Sequence, residues 1–134
     1  MPGENVLPAS EYPDDFEIVS VPFNHVLEGT AAFTIPFLYA DVDLVVDSVV
    51  VGISVIEGAA ETVEVVHATS IQATTGFLSL QTATVSTNTL GTTVATVNTS
   101  NNLVPAGSWI MLKFDAALGA AHGCVQIRFR TRLK

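Results

Sequence analysis

Short runs of β-branched residues, separated by glycine, asparagine or proline, recur along the chain from Phe16 onward. This pattern is typical of antiparallel β-sheet proteins rather than of helical ones. We therefore expect an all-β fold, an antiparallel β-sandwich or a jelly-roll-like barrel of about eight strands. The predicted strands are Phe16–Val21, Ala31–Tyr39, Val42–Glu57, Thr62–Ala73, Gly76–Ser86, Thr92–Asn98, Trp109–Phe114 and Gly123–Leu133.

The segment before the first strand differs in character from the rest of the chain. Residues 1–15 hold three prolines, four acidic residues and no apolar periodicity, which predicts an extended N-terminal arm in front of one β-domain over residues 16–134. Val6, Leu7 and Tyr12 give this arm apolar anchors with which to dock on a neighbouring surface. We expect the arm to be mobile in isolation and ordered in an assembly.

Two interruptions inside the domain are also predicted. The run Val42–Glu57 exceeds an ordinary strand of about 5–6 residues, which favours a bend or bulge near Gly52 or a division into two strands. Residues 116–122 have the only helix-favouring composition outside the arm, and they predict one short turn between the last two strands.

Charge is scarce and unevenly distributed. The net charge is −8 and charged residues make up 13% of the chain, about half the usual fraction. Residues 1–112 carry twelve carboxylates and no lysine or arginine, whereas residues 113–134 carry five bases and only Asp115. An acidic body without clustered bases argues against binding to a nucleic-acid backbone. The chain also has no apolar run of about 18 residues and no signal-like start, so we expect a protein that is neither membrane-bound nor exported.

The middle of the chain carries almost no charge. Residues 65–112 include no aspartate, glutamate, lysine or arginine, a span of 48 residues with His67 as its only titratable imidazole. Exposed strand edges normally carry charges that prevent edge-to-edge association. We therefore expect a homo-oligomer, or a protein that binds a large scaffold through this span, with a threonine-rich solvated surface as the alternative.

The last predicted strand has two chemically different faces. Apolar Val125, Ile127, Phe129, Thr131 and Leu133 alternate with Gln126, Arg128, Arg130, Arg132 and Lys134. One interpretation is that the basic row contacts an acidic surface of another subunit, which makes Arg128, Arg130 and Arg132 candidate assembly contacts together with the apolar residues of the arm. The alternative is neutralisation within the subunit by carboxylates of Asp41, Asp43, Asp47, Glu61 or Glu64.

No arrangement of residues predicts catalysis. Ser54 lies in Gly52-Ile53-Ser54-Val55-Ile56, which lacks the second glycine of a nucleophile elbow. Cys124 has His122 two residues away, on the same face of a strand, but a single strand cysteine is more often a small core residue than a nucleophile. We predict a protein that is not an enzyme.

Metal and cofactor sites are equally poorly supported. His25, His67 and His122 lie in three separate segments without paired HxH spacing. Asp41, Asp43 and Asp47 resemble a calcium cluster only loosely, since no DxDxDG loop follows them. No phosphate loop or dinucleotide fingerprint is present, and no cofactor is expected.

Three features of the sequence support a family comparison. They are the valine-rich run from Asp43 to Val51, the middle rich in threonine, serine and asparagine, and the ending formed by Val104–Leu112 and Gly123–Arg130. Over residues 30–134 this combination resembles the small structural proteins of tailed-bacteriophage particles, such as capsid decoration proteins and head or tail accessory subunits. The resemblance implies a jelly-roll-like, non-enzymatic virion protein, assembled in the host cytoplasm. It further implies that the protein binds the major capsid protein or another virion subunit, often as a trimer, and strengthens the lattice.

Two other functional classes remain open at this stage. A carbohydrate-binding or adhesin module would use exposed aromatic side chains, and Trp109, the single tryptophan, is the candidate for stacking on a sugar. The favoured interpretation of Trp109 is a core anchor of the β-sandwich. A small cupin-like metal enzyme would need a set of metal ligands, and the sequence does not supply one.

Overall fold

A computed structural model describes residues 16–24, 33–56, 61–116 and 121–132 of the chain. These residues form ten strands. The strands are β1 (Glu17–Phe23), β2 (Phe33–Tyr39), β3 (Leu44–Val55), β4 (Thr62–Ala68), β5 (Leu78–Ser79), β6 (Val85–Ser86), β7 (Gly91–Ala95), β8 (Leu103–Val104), β9 (Trp109–Phe114) and β10 (His122–Thr131). The described residues form no helix. They therefore include no helix that is long and apolar enough to cross a membrane.

The strands form two antiparallel five-stranded sheets that pack face to face. Sheet A has the order β1-β10-β3-β7, with β8 also paired to β3, and sheet B has the order β2-β9-β4-β5, with β6 also paired to β4. The pairing is nested: β1 pairs with β10, β2 with β9, β3 with β7, and β4 with β5. This nesting is the strand arrangement of a jelly roll. The predicted all-β sandwich is confirmed.

The core lies between the sheets and consists mainly of valine, isoleucine, leucine and phenylalanine. Side chains alternate inward and outward along each strand, so β-branched residues at every second position fill the space between the sheets. At one end of the sandwich the Phe23 ring of sheet A meets the Phe114 ring of sheet B edge-on, with ring centroids 5.2 Å apart. Phe33 stacks on Phe114 at 4.8 Å.

The long strand β3 is continuous and contains two irregularities, one of them close to Gly52. Arg128 pairs with Ser48 and Phe129 with Val46, so Asp47 is an extra residue, a β-bulge. The bulge lets Val46 and Val49 both face the core although they are three residues apart. A second irregularity lies at Ser54, whereas Gly52 is regularly paired with Cys124. The predicted bulge near Gly52 is therefore confirmed at Ser54, two residues away, whereas the predicted division into two strands is wrong.

The other strand boundaries differ from prediction mainly between β4 and β8. The predicted strand Gly76–Ser86 is two separate two-residue strands, β5 and β6, and the predicted strand Thr62–Ala73 ends at Ala68. The short strand β8 was not predicted. The predicted arm with Val6, Leu7 and Tyr12 lies outside the described residues, as does most of the predicted helical turn, while His122 already belongs to β10.

Candidate functional site

One stretch of the described chain, at one side of the sandwich, contributes no charged side chain. Residues 78–104 supply β5 and β6 at one edge of sheet B, and β7 and β8 at one edge of sheet A. No residue in this span is acidic or basic. We call residues 78–104 the uncharged flank. It contains much of the charge-free span 65–112, whose remaining residues belong mostly to β4, β9 and the segment between β4 and β5.

Several large apolar side chains are exposed on this flank. Val94 of β7 is 73% exposed and Leu90, just before β7, is 60% exposed. Leu78 and Leu103 are also exposed. Val94 lies on the outer face of sheet A, where it is paired with Val50. The sequence shows apolar residues among the threonines of this span. Only the pairing of β7 with β3 shows that Val94 faces outward.

The two sheet edges of the flank are joined at one point by backbone hydrogen bonds. Thr82 N–H donates to Thr96 O at 2.9 Å and Asn98 N–H donates to Leu80 O at 2.9 Å. Gln81 lies at this junction and is 2% exposed. Its side-chain oxygen accepts a hydrogen bond from Val65 N–H at 2.8 Å, which completes the edge of β4 between β5 and β6. Asn101, between β7 and β8, adds a side-chain contact between the two edges, because its Nδ2 donates to the carbonyl oxygen of Ser79 in β5 at 3.3 Å.

The basic row of β10 is partly neutralised within the chain. Arg130 Nε lies 3.3 Å from Asp47 Oδ2, in an ion pair that the bulge in β3 makes possible. The Arg128 guanidinium carbon lies 4.7 Å from the centroid of the Phe16 ring. In the described part of the chain no carboxylate lies within ion-pair distance of Arg128 or Arg132, although Arg132 N–H donates to Asp43 O at 2.9 Å.

The alternation predicted for β10 is confirmed over most of its length. Val125, Ile127 and Phe129 are buried while Gln126 and Arg128 are exposed. Thr131 was predicted on the core face but is exposed, because it lies at the end of the strand. Whether Arg128, Arg130 and Arg132 contact another subunit stays a prediction, as does the docking role of the arm residues.

Two of the other proposed carboxylate partners, Glu64 and Asp43, have separate roles. Glu64 lies across from Lys113, with Oε1 3.9 Å from Nζ. Asp43 Oδ1 accepts a hydrogen bond from Ala106 N–H at 2.9 Å, in the turn before β3. Asp41 and Asp43 therefore precede the strand on which they were predicted, and Asp47 is engaged with Arg130. The loose calcium pattern does not form a cluster, since no group of three metal-ligating side chains occurs among the described residues.

The candidate catalytic residues are placed in structural roles. Ser54 Oγ donates to the carbonyl of His122 at 3.3 Å. Cys124 Sγ is 3.8 Å from the carbonyl of the adjacent Val125. His25 lies outside the described residues. His67 and His122 are at opposite ends of the sandwich. His67 pairs with Ile110 near the start of β9, whereas His122 lies near the end of β9, where the Phe23 ring contacts Phe114.

His67 is a buried core residue. It is 2% exposed, and its Nε2 lies 2.9 Å from the carbonyl oxygen of Asn101, to which the neutral ring donates as the Nε2–H tautomer. Burial lowers the pKa of His67 below the ordinary value of 6.5, and the hydrogen bond to Asn101 opposes part of that effect. The imidazole is therefore favoured in its neutral form.

Trp109 belongs to the outer surface of sheet B and not to the core between the sheets. It packs against a small second cluster formed by Val66, Ala68 and Met111. Its ring lies 5.0 Å from the Tyr39 ring, centroid to centroid, and Tyr39 is 46% exposed. The expectation of a core anchor for Trp109 is therefore wrong.

Comparisons with protein-family models, with curated proteins and with solved structures found no match to this chain.

Proposed function

We propose that this chain is a non-enzymatic structural subunit of a virion, a capsid decoration protein or another head or tail accessory protein, that self-associates and binds the particle lattice. The observation that carries the proposal is the uncharged flank. It presents two sheet edges with exposed Leu90 and Val94 and without the charges that normally keep such edges from pairing with other chains. Contact with another subunit would bury these edges.

The fold and the charge distribution are consistent with that role. The jelly roll is common in viral capsid domains, although it also occurs in lectins and cupins, so the fold is support by analogy. The surplus of carboxylates, together with the guanidinium groups of Arg128 and Arg132, for which the described residues provide no carboxylate within ion-pair distance, supplies opposite charges for contacts between subunits. The partner proposed is the major capsid protein or another virion subunit, and a trimer is the favoured oligomer.

The proposal is tested by placing one charge on the flank. Val94→Lys adds an ammonium at the centre of the flank, on a side chain that is 73% exposed, so the fold should be unaffected. Ile18→Lys is the matched control, because Ile18 is 59% exposed on the strand at the opposite edge of sheet A. Sedimentation velocity should show loss of association for Val94→Lys only. If both variants associate as the native protein does, the flank is not the contact.

Carbohydrate binding is a second candidate because of the Tyr39 and Trp109 pair. Two adjacent aromatic rings, one of them 46% exposed, offer apolar surface on which a sugar ring stacks. Glycan-array binding that is lost in Trp109→Ala and retained in Val94→Lys would favour this function over assembly.

A further inference from the structure

A cavity of about 270 Å³ lies beside Lys113 on the outer side of sheet B. Its lining residues are Phe33, Thr34, Ala73, Thr74, Phe77, Lys113 and Phe114. The roof comes from the segment between β4 and β5, whose Ala73 and Phe77 are fixed against the cluster of Val66, Ala68 and Met111. An engineered, fully enclosed apolar cavity of about 150 Å³ is enough to bind benzene. The cavity beside Lys113 is half open to solvent, so its volume admits a phenyl group with a short substituent that keeps one side exposed.

The charge in this cavity is distinctive for the chain. Lys113 is the only lysine or arginine among the first 127 residues, and its side chain lines the cavity beside phenylalanine rings while remaining 33% exposed. The Nζ atom lies 6.0 Å from the centroid of the Phe77 ring. It lies 3.9 Å from Glu64 Oε1, which is too long for a hydrogen bond. Within the described part of the chain its three N–H donors are therefore not used in hydrogen bonds.

We propose that this cavity is a binding site for a ligand that carries a carboxylate on a small apolar or aromatic group. The carboxylate binds the Lys113 ammonium, and the apolar group lies against the rings of Phe77 and Phe33. A single ammonium suits a singly charged carboxylate, because the nearby Glu64 carboxylate repels a doubly charged phosphate more strongly than a singly charged group. The hydroxyl groups of Thr34 and Thr74 add hydrogen-bonding capacity at the rim. This inference does not depend on the proposed assembly.

The test is a titration of the full chain with 3-phenylpropionate, followed by backbone amide chemical shifts. Saturable shifts are expected at Thr34, Ala73, Phe77 and Lys113. The neutral analogue 3-phenylpropanamide should bind at least about tenfold more weakly, because it lacks the charge-assisted contact. N-acetylphenylalanine carries the carboxylate of a peptide C-terminus. If it binds more tightly than 3-phenylpropionate, the natural ligand is the C-terminus of a protein chain.

Two variants separate a binding site from a surface ion pair. Lys113→Met should weaken 3-phenylpropionate binding by about tenfold, while Glu64→Gln should tighten it, since the competing carboxylate is removed. An ion pair with only a structural role predicts equal and small effects of the two changes on stability and no binding. Absence of saturable shifts, or equal affinity for the acid and the amide, would overturn the proposal. Lys113→Arg, which keeps the charge, should retain binding if Lys113→Met fails to fold.

Discussion

Replacing Gly123 with alanine would place a methyl group between the backbone of β3 and the ring of Phe23. A Cβ atom on Gly123 would collide with the carbonyl oxygen of Gly52 on the neighbouring strand, and it would lie 2.6 Å from Cζ of Phe23. Phe23 is 1% exposed and its ring is held edge-on against Phe114, so it has little room to move. Backbone and ring must shift together to accept the methyl group.

The magnitude follows from the cost of overpacking a closed core. Insertion of one methyl group into a tightly packed interior costs about 1–3 kcal/mol, and the backbone obstacle places Gly123→Ala toward the upper end. For a domain of this length, about 3 kcal/mol lowers the melting temperature by roughly 10 °C. Gly52→Ala is the matched control, because its Cβ would lie 3.9 Å from the Cys124 carbonyl oxygen, an ordinary contact. We expect a change for Gly52→Ala of less than about 1 kcal/mol.

The assay is urea unfolding of both variants, followed by tryptophan fluorescence of Trp109 and by circular dichroism. The slope of free energy against urea should be the same as in the native protein, so that the midpoints report stability. The addition of Phe23→Leu to Gly123→Ala should recover part of the loss, because it removes the ring and leaves the carbonyl obstacle. Equal stability of Gly123→Ala and Gly52→Ala would refute this account of sheet packing.

Three further predictions concern single interactions. Gln81→Leu leaves the Val65 N–H without its partner and should lower the free energy of unfolding by about 1–3 kcal/mol in urea, and an unchanged value would show that the junction does not depend on this bond. Arg130→Ala should cost no more than about 1 kcal/mol, because Arg130 is 40% exposed in its pair with Asp47, and a larger loss of melting temperature would contradict a partly screened ion pair. Because burial lowers the pKa of His67, the unfolded chain binds a proton at a higher pH than the folded chain, so the free energy of unfolding should decrease as the pH falls below about 6.5. This decrease should be smaller in His67→Gln, and identical pH profiles of the two proteins would exclude the effect.

Periodicity was sufficient to predict the class of fold and the two faces of the last strand. Val125 and Ile127 are buried as the alternation requires, and Gln126 and Arg128 are exposed. The bulge at Asp47 was not predictable in position, because valines occupy both inward and outward positions around it and hide the change of phase. The pairing of Arg130 with Asp47 depends on that bulge and was only one of several open alternatives.

The division between β5 and β6 shows a second limit of sequence patterns. A glutamine side chain takes the place of a backbone partner at Val65, so a strand that looks continuous in sequence is interrupted. The cavity beside Lys113 was missed for a similar reason. Its walls come from β2, β9 and the segment before β5, and only the register and the folding of that segment over sheet B bring them together. The signal available in sequence was the isolation of Lys113 as the first base of the chain.

The central claim is that this chain works by assembling with other subunits, and its mass in solution tests that claim most directly. Sedimentation equilibrium over a wide range of concentration should give a mass that rises above the 14.1 kDa of one chain, with three times that mass as the favoured limit. Added salt should weaken the association only modestly, because the uncharged flank supplies the main contact. A mass that stays at 14.1 kDa at every concentration would contradict the account.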